Sequence, residues 1–376
     1  MNLLFPGSNK TPLEGIPQGY WLASPGLTRL ANALFAGPER VLLRRMYERI
    51  GIDRPILIIG AFRSGTTILE QIISRHPEVG HFSYLTSAVR GFPIIGYKIA
   101  RLAQHLGLFT REGIPFVHNP RIKFTVFSPY ECELVWAQTE INQWNPDCSD
   151  ITLGSDYSDP RFEDYLFSLI RRHLLIQGAN RFINKNPVHC TRLGYLHKLF
   201  PEARFIFMFR DPLATIISHY RAAKQVEEIV HSNPRLRRIF DDELRMTMLN
   251  YRLKTRNYAK TLELDRIHPL LGIANQWADL NAAVLESIRK LGLGSNILRL
   301  QYQLLTIEPE YELERIWRFI ELQDDHADSI TREYAPKLGS PFPEANTEEE
   351  LEYLPQIGEI IAPVAIELGF PAFLYE

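Results

Sequence analysis

The sequence predicts an α/β fold around a parallel sheet, and three observations carry that prediction. Short apolar runs recur along the chain: "RPILIIG" (54–60), "RFINK" (181–185), "ARFIFMFR" (203–210) and "NILRLQY" (296–302). Runs of this length without polar alternation read as strands buried on both faces. Each is followed by a helical pattern, and hairpin signals between them are few, so strands and helices alternate. The chain reads as one domain, residues 51–376, with a mostly helical insertion around 225–270. A helical N-terminal flap, residues 1–50, precedes it.

The elements follow in order. "TILEQIISRH" places apolar residues at 68, 69, 72 and 73, a helical spacing that Pro77 ends. "PIIGYKIARLAQHLGLF" (93–109) reads as a helix. "SPYECELVWAQTEI" (128–141) offers a serine cap, a proline at the first position and early glutamates, which predict a helix starting at Ser128. "SDPRFEDYLFSLIRRHLLIQG" (158–178) is a second capped amphipathic helix. "NPVHCTRLGYLHKLFP" predicts a helix ending at Pro201, and "DPLATIISHYRAAKQ" one that begins at Pro212. Long helical patterns occupy 235–265 and 273–291. "EPEYELERIWRFIEL" follows the last strand as a helix. "TEEELEYLPQIGEIIAPVAIELGF" gives a helix pair, or one helix interrupted at Pro363.

Composition narrows the function classes. The 376 residues are 45% hydrophobic and 23% charged, ordinary globular composition, and the net charge of −2 provides no basic field for nucleic acid. Cys132, Cys148 and Cys190 form no metal spacing and no disulfide framework. No signal peptide and no spanning apolar run are apparent, so the expectation is a cytoplasmic chain. "GLTRLANALFAGPERVLLRRMYERIG" (26–51) mixes apolar and basic residues at helical spacing. It reads either as a flap packed on the core or as a face for peripheral membrane contact or a lipid-like acceptor.

The chemistry concentrates in three places. "GAFRSGTT" (60–67) lies between a strand and a helix and nearly matches the ATPase loop G-x-x-x-x-G-K-[ST], but Thr66 stands where the lysine belongs. Backbone N–H groups of such a loop and the helix N-terminus make an anion cradle. Gly60 permits the turn and Gly65 the close approach. Ser64, Thr66 and Thr67 supply hydroxyl donors, and Arg63 is the loop's cation, a fixed planar donor. In "FIFMFRDPLATIISHY", Arg210 ends a strand and Ser218 lies about two turns into the next helix, a compact site for a second phosphate at the carboxyl edge. The alternative for Arg210 and Asp211 is a local ion pair at the turn. In "INKNPVH", Lys185 ends a strand at the same edge.

These three pieces, in this order, resemble the sulfotransferases that use 3′-phosphoadenosine 5′-phosphosulfate (PAPS), the bacterial group above all and more distantly the tyrosylprotein sulfotransferases. The Thr-Thr after the glycine distinguishes the loop from that of ATPases. The resemblance covers residues 54–80, 181–221 and 296–322. It implies a P-loop-like three-layer α/β/α fold and in-line transfer of a sulfuryl group from PAPS to an acceptor hydroxyl or amine, with no metal required. It implies that Arg63 contacts the 5′-phosphate and the sulfuryl oxygens, Lys185 the leaving oxygen, Arg210 and Ser218 the 3′-phosphate, and that Tyr302 lies beside the nucleotide. The acceptor class stays open among small molecules, carbohydrates, lipid-like alcohols and peptide tyrosine.

One position departs from the pattern. Relatives carry a glutamate, their general base, shortly after the first helix, and here "HPEVGHFSYL" places Ser83 and Tyr84 there. Candidate replacements are His81, whose unperturbed pKa of about 6.5 suits the task, and Glu131 or Glu133 in the acidic "SPYECELVW". His118 and His219 are weaker candidates, and His219 should point away from the acceptor. Two other readings remain at this level: a nucleotide-binding protein of the same fold without turnover, and a kinase with a degenerate loop, which the missing lysine disfavours.

Overall fold

The computed structural model describes residues 25–107, 113–116, 119–136, 152–232, 255–339, 344–345 and 347–371. They divide into two compact units, one of residues 1–42 with 83–128 and the other of residues 43–82 with 129–376.

The smaller unit holds α1 (Pro25–Leu42), α4 (Tyr84–Val89), α5 (Pro93–His105) and a two-stranded antiparallel sheet of β3 (Ile114–Phe116) and β4 (Asn119–Phe124). Glu39 is fully buried and accepts the Ile95 N–H at 2.8 Å, which ties α1 to the first turn of α5. Asn32 likewise accepts the Gly91 N–H at 3.0 Å. Ser83 forms a capping box with Thr86 at the start of α4, and Tyr84 packs edge-on against Phe124.

The larger unit holds α2 (Arg44–Tyr47), β1 (Ile56–Ile59), α3 (Thr66–Ile73), β2 (Val79–His81), α6 (Glu133–Trp136), α7 (Pro160–Gln177), β5 (Arg181–Lys185), α8 (Leu193–Leu199), β6 (Arg204–Phe209), α9 (Pro212–Ser232) and β7 (Ile297–Gln301). Further helices span Tyr258–Ile267, Pro269–Leu291, Pro309–Phe319, Asp325–Tyr334, Glu348–Glu352 and Leu354–Leu368. Five strands form one parallel sheet in the order β2-β5-β1-β6-β7. Alternate side chains of the strands feed two cores. Leu57, Ile59, Phe205 and Phe207 pack with α7, α8, α9, Trp277 of Pro269–Leu291 and the C-terminal helix. Ile56, Ile58, Ile183, Ile206 and Met208 pack with Leu69 and Ile72 of α3 and with Ile316 and Trp317. The result is a three-layer α/β/α arrangement. Each such buried aliphatic or aromatic side chain contributes about 1.5–3 kcal/mol.

Several elements differ from the sequence expectation. No helix starts at Ser128. Its hydroxyl accepts the Thr125 N–H at 3.0 Å to close a turn, the Tyr130 N–H bonds Phe82 O at 2.9 Å, and Cys132 has a left-handed φ of 50°. Among the described residues the helical part of this stretch is α6, and residues 137–141 lie outside them. The stretch after Asn186 opens as a 3₁₀ turn, Pro187–Thr191, before α8. Near the C-terminus the helices divide at Tyr353, and Pro363 lies inside the second. Residues 233–254, within the expected insertion, lie outside the described residues.

Candidate active site

β1 leads through α3 toward β2 on one side of the sheet, whereas β6 leads toward β7 on the other. Connections therefore part between β1 and β6, and the carboxyl ends there form the crevice in which open α/β sheets bind ligands. The loop 60–65 leaves β1 at this point, and Arg210 leaves β6 beside it.

The loop is shaped by close approach. A Cβ on Gly60 would lie 2.2 Å from Met208 O of the neighbouring strand. Gly65 caps α3 with φ 88°, and a Cβ there would lie 2.3 Å from Cδ2 of Tyr302. Arg63 adopts a left-handed φ of 67°, a conformation that costs a non-glycine residue about 1–3 kcal/mol and clusters at ligand sites. Its Nε donates to Ser218 Oγ on α9 at 3.0 Å. Ser64 Oγ is fully buried and meets no donor or acceptor among the described residues. A buried hydroxyl so placed costs free energy unless something else completes its hydrogen bonds. The first N–H groups of α3 likewise lack intrahelical partners.

Arg210, 7% exposed, stands with its guanidinium 5.0 Å from the Tyr302 ring centroid, a cation–π arrangement, and its Nη1 approaches Arg63 O at 3.4 Å. Burial, then the neighbouring Arg210 charge, lowers the Arg63 pKa to about 10. Burial also lowers that of Arg210. Two guanidinium groups held together in a recess, each less comfortable for it, form a site that an anion stabilises. Asp211, the next residue, lies close enough for its charge to act on Arg210. Its carboxylate accepts the Ala214 N–H at 2.7 Å and caps the start of α9.

Lys185 ends β5, opposite Ile58 in the register, and is 3% exposed. Its ammonium donates to the Glu131 carboxylate. Its backbone N–H donates to Glu70 Oε1 at 2.9 Å. Glu70 was not among the residues that the sequence singled out. It lies on α3, is 1% exposed, and its second oxygen meets no donor among the described residues. Burial raises its pKa to about 8, opposed by Lys185 and reinforced by Glu131. The available signal was an acid inside the apolar pattern "TILEQII", one turn past the loop.

His81 ends β2, the edge strand, in register with Ile183. Its backbone is clamped by the Gln177 amide, with His81 N donating to Oε1 at 3.2 Å and Nε2 donating to His81 O at 2.8 Å. Its charge bears on His173 of α7, whose pKa falls to about 3, chiefly through burial and then through Arg172. His219 stacks on Phe62 of the loop, ring centroids 5.3 Å apart. The Glu133 side chain and His118 lie outside the described residues. No group of three or more His, Cys, Asp or Glu suited to a metal occurs among the described residues.

The structure thus gathers Arg63, Arg210, Ser218, Gly65 and Tyr302 around the loop, and Lys185 with Glu131 and Glu70 along the same edge. Residues 133–270 match the model of the sulfotransferase family. The chain is 26% identical over 213 residues, half of its length, to the omega-hydroxy-beta-dihydromenaquinone-9 sulfotransferases of Mycobacterium bovis and Mycobacterium tuberculosis. Over these stretches the chain is similar to the sulfotransferase family. A third similar protein is protein-tyrosine sulfotransferase 1 of Danio rerio, 26% identical over 44% of the chain. The matched part spans 49% of the mycobacterial sulfotransferases and 35% of the zebrafish one. The crystal structure of a sulfotransferase from Mycobacterium avium shares the fold, with a TM-score of 0.56 and 14% identity over 93% of this chain and 87% of that one.

Proposed function

We propose that this chain uses PAPS as donor and delivers its sulfuryl group to the hydroxyl of an acceptor molecule. The observation that carries the reading is the convergence of Arg63, Arg210, Ser218 and Tyr302 on one loop whose buried Ser64 hydroxyl has no partner among the described residues. The loop N–H groups, Ser64, Thr66, Thr67 and Arg63 suit the 5′-phosphate, Arg210 and Ser218 the 3′-phosphate, and the Tyr302 ring the base or ribose. PAPS supplies a sulfuryl group already activated on a phosphate leaving group. Lys185, buried and charged at the end of β5, is placed to offset negative charge on a leaving oxygen. Glu131, joined to Lys185, is the carboxylate best placed to take the proton of an acceptor hydroxyl. His81, whose backbone is clamped by Gln177 of α7 and whose charge acts on His173 there, is the less favoured base.

The names of the similar proteins specify an omega-hydroxy quinone and a protein tyrosine. Both are hydroxyl acceptors, which supports a hydroxyl here. A thermal-shift titration with adenosine 3′,5′-bisphosphate in the presence of a chelator tests the donor site. At 100 times Kd the ligand adds about 2.7 kcal/mol, a rise of about 3 °C at this chain length. A shift seen only with magnesium and ATP overturns the proposal. One observation favours a second reading, binding without turnover: Ser83, where relatives carry a base, serves as a helix cap. Transfer of labelled sulfate from PAPS to any hydroxyl acceptor excludes it.

A further inference from the structure

The smaller unit is chemically unlike the rest of the chain. Its described residues include seven lysines and arginines, Arg29 to Lys123, and one acid, Glu39, within a chain whose net charge is −2. Glu39 is fully buried against the Ile95 N–H, so the outward charge among the described side chains of this unit is positive. Two helices also carry outward apolar stripes. Leu30, Leu34 and Val41 recur at four- and seven-residue spacing along α1, and Ile99, Leu102 and Leu106 at three- and four-residue spacing along α5. All six are between 52% and 76% exposed. Each stripe spans about 60° or less of its helix at 100° per residue, with Arg40 just before Val41 on α1 and Lys98 and Arg101 interleaved in sequence on α5. None of the described helices is long and apolar enough to cross a membrane.

We propose that this unit docks on an anionic lipid bilayer, its leucine and isoleucine stripes entering the headgroup–acyl boundary and its basic side chains meeting the headgroup phosphates. Exposed apolar stripes bordered by Lys and Arg are what an interfacial helix requires. A second copy of this chain is the poorer occupant, because each copy would bring the same positive charge to the contact. The proposal does not draw on the nucleotide site, so its failure leaves the donor assignment untouched.

The test is co-sedimentation of the full chain with phosphatidylcholine vesicles, with and without about 30% phosphatidylglycerol, at low and high salt. Each basic side chain near an anionic surface contributes about five-fold to partitioning, an effect screened by salt. The wild type should pellet with the anionic vesicles, weakly with neutral ones, and less at high salt. Arg40→Glu/Lys98→Glu should lower partitioning by about 25-fold or more. Leu34→Glu/Leu102→Glu should abolish it with an unchanged melting temperature, since both leucines are exposed. Three results overturn the proposal: no binding by the full chain, equal binding to neutral vesicles, or unaffected variants. It also falls if light scattering finds a dimer that Leu34→Glu/Leu102→Glu dissociates, or if only a chain lacking residues 1–24 binds vesicles. Those outcomes would assign the stripes to a second copy or to the N-terminal segment.

Discussion

The Lys185 ammonium is paired with the Glu131 carboxylate, joining the end of a central strand to a segment 54 residues earlier in sequence. Lys185 is almost fully buried, whereas the Glu131 side chain keeps 21% of its surface open. The pair therefore has one partner fixed in the sheet and one facing outward, the disposition a cation–base couple needs. Glu131→Gln should lower the transfer rate by about 10²–10⁴ and leave affinity for adenosine 3′,5′-bisphosphate unchanged. His81→Gln should keep most of the activity. Steady-state rates of both variants, beside calorimetric bisphosphate affinities, check this. The opposite ranking would transfer the proton-accepting role to His81.

Gly65 and Tyr302 form a second coupled pair. An alanine at 65 places its Cβ against the tyrosine ring and adds the strain of a left-handed φ, about 1 kcal/mol. Gly65→Ala should displace the ring, weaken Arg210 stacking and cut bisphosphate affinity at least about ten-fold. Adding Tyr302→Ala relieves the clash, so the two changes should be non-additive in calorimetry.

Glu70 gives stability a pH dependence. Its folded pKa, raised by burial to about 8, lies above its ordinary 4.5, so the folded state binds the extra proton between these values. Stability from this group is full below pH 4.5 and is lost as pH rises through about 8. Denaturation of Glu70→Gln should show a flatter decline across that window than the wild type. Because Glu70 holds the Lys185 N–H, Glu70→Ala should cost stability and activity together, with Glu70→Gln restoring most of both.

The helix that carries Ser218 is anchored from the C-terminal region. Glu350, 1% exposed, accepts Arg221 Nε at 2.7 Å and Nη2 at 2.6 Å, and completes a capping box with Thr347. Arg221 is 37% exposed, so solvent screens the pair. Glu350→Ala should therefore destabilise by about 0.5–2 kcal/mol, mostly through the lost cap, measurable as a lowered denaturation midpoint.

The placement of the candidate residues was legible because they sit where strands end. Lys185 closes a strand, and Arg210 and Tyr302 each follow one directly. The loop follows β1. Apolar runs are a local signal, and their carboxyl ends mark the site edge. β2 was not legible, since three residues, Val79–His81, carry no pattern and gain their strand character from pairing with β5. The helix expected at Ser128 failed because its cap signal was redirected into a turn and Tyr130 pairs with Phe82. Glu70 was hidden for another reason. Periodicity marks it as a polar residue in an apolar pattern, and only the fold shows that it faces the strand end inside the core.

The most direct test of the two-phosphate site pairs a ligand change with a protein change. Calorimetry would compare adenosine 3′,5′-bisphosphate with adenosine 5′-monophosphate on the wild type and on Arg210→Ala. If Arg210 reads the 3′-phosphate, the wild type prefers the bisphosphate by about 2–5 kcal/mol and the variant loses that preference while still binding the monophosphate. Equal affinities on the wild type, or a preference that survives Arg210→Ala, would contradict the assignment.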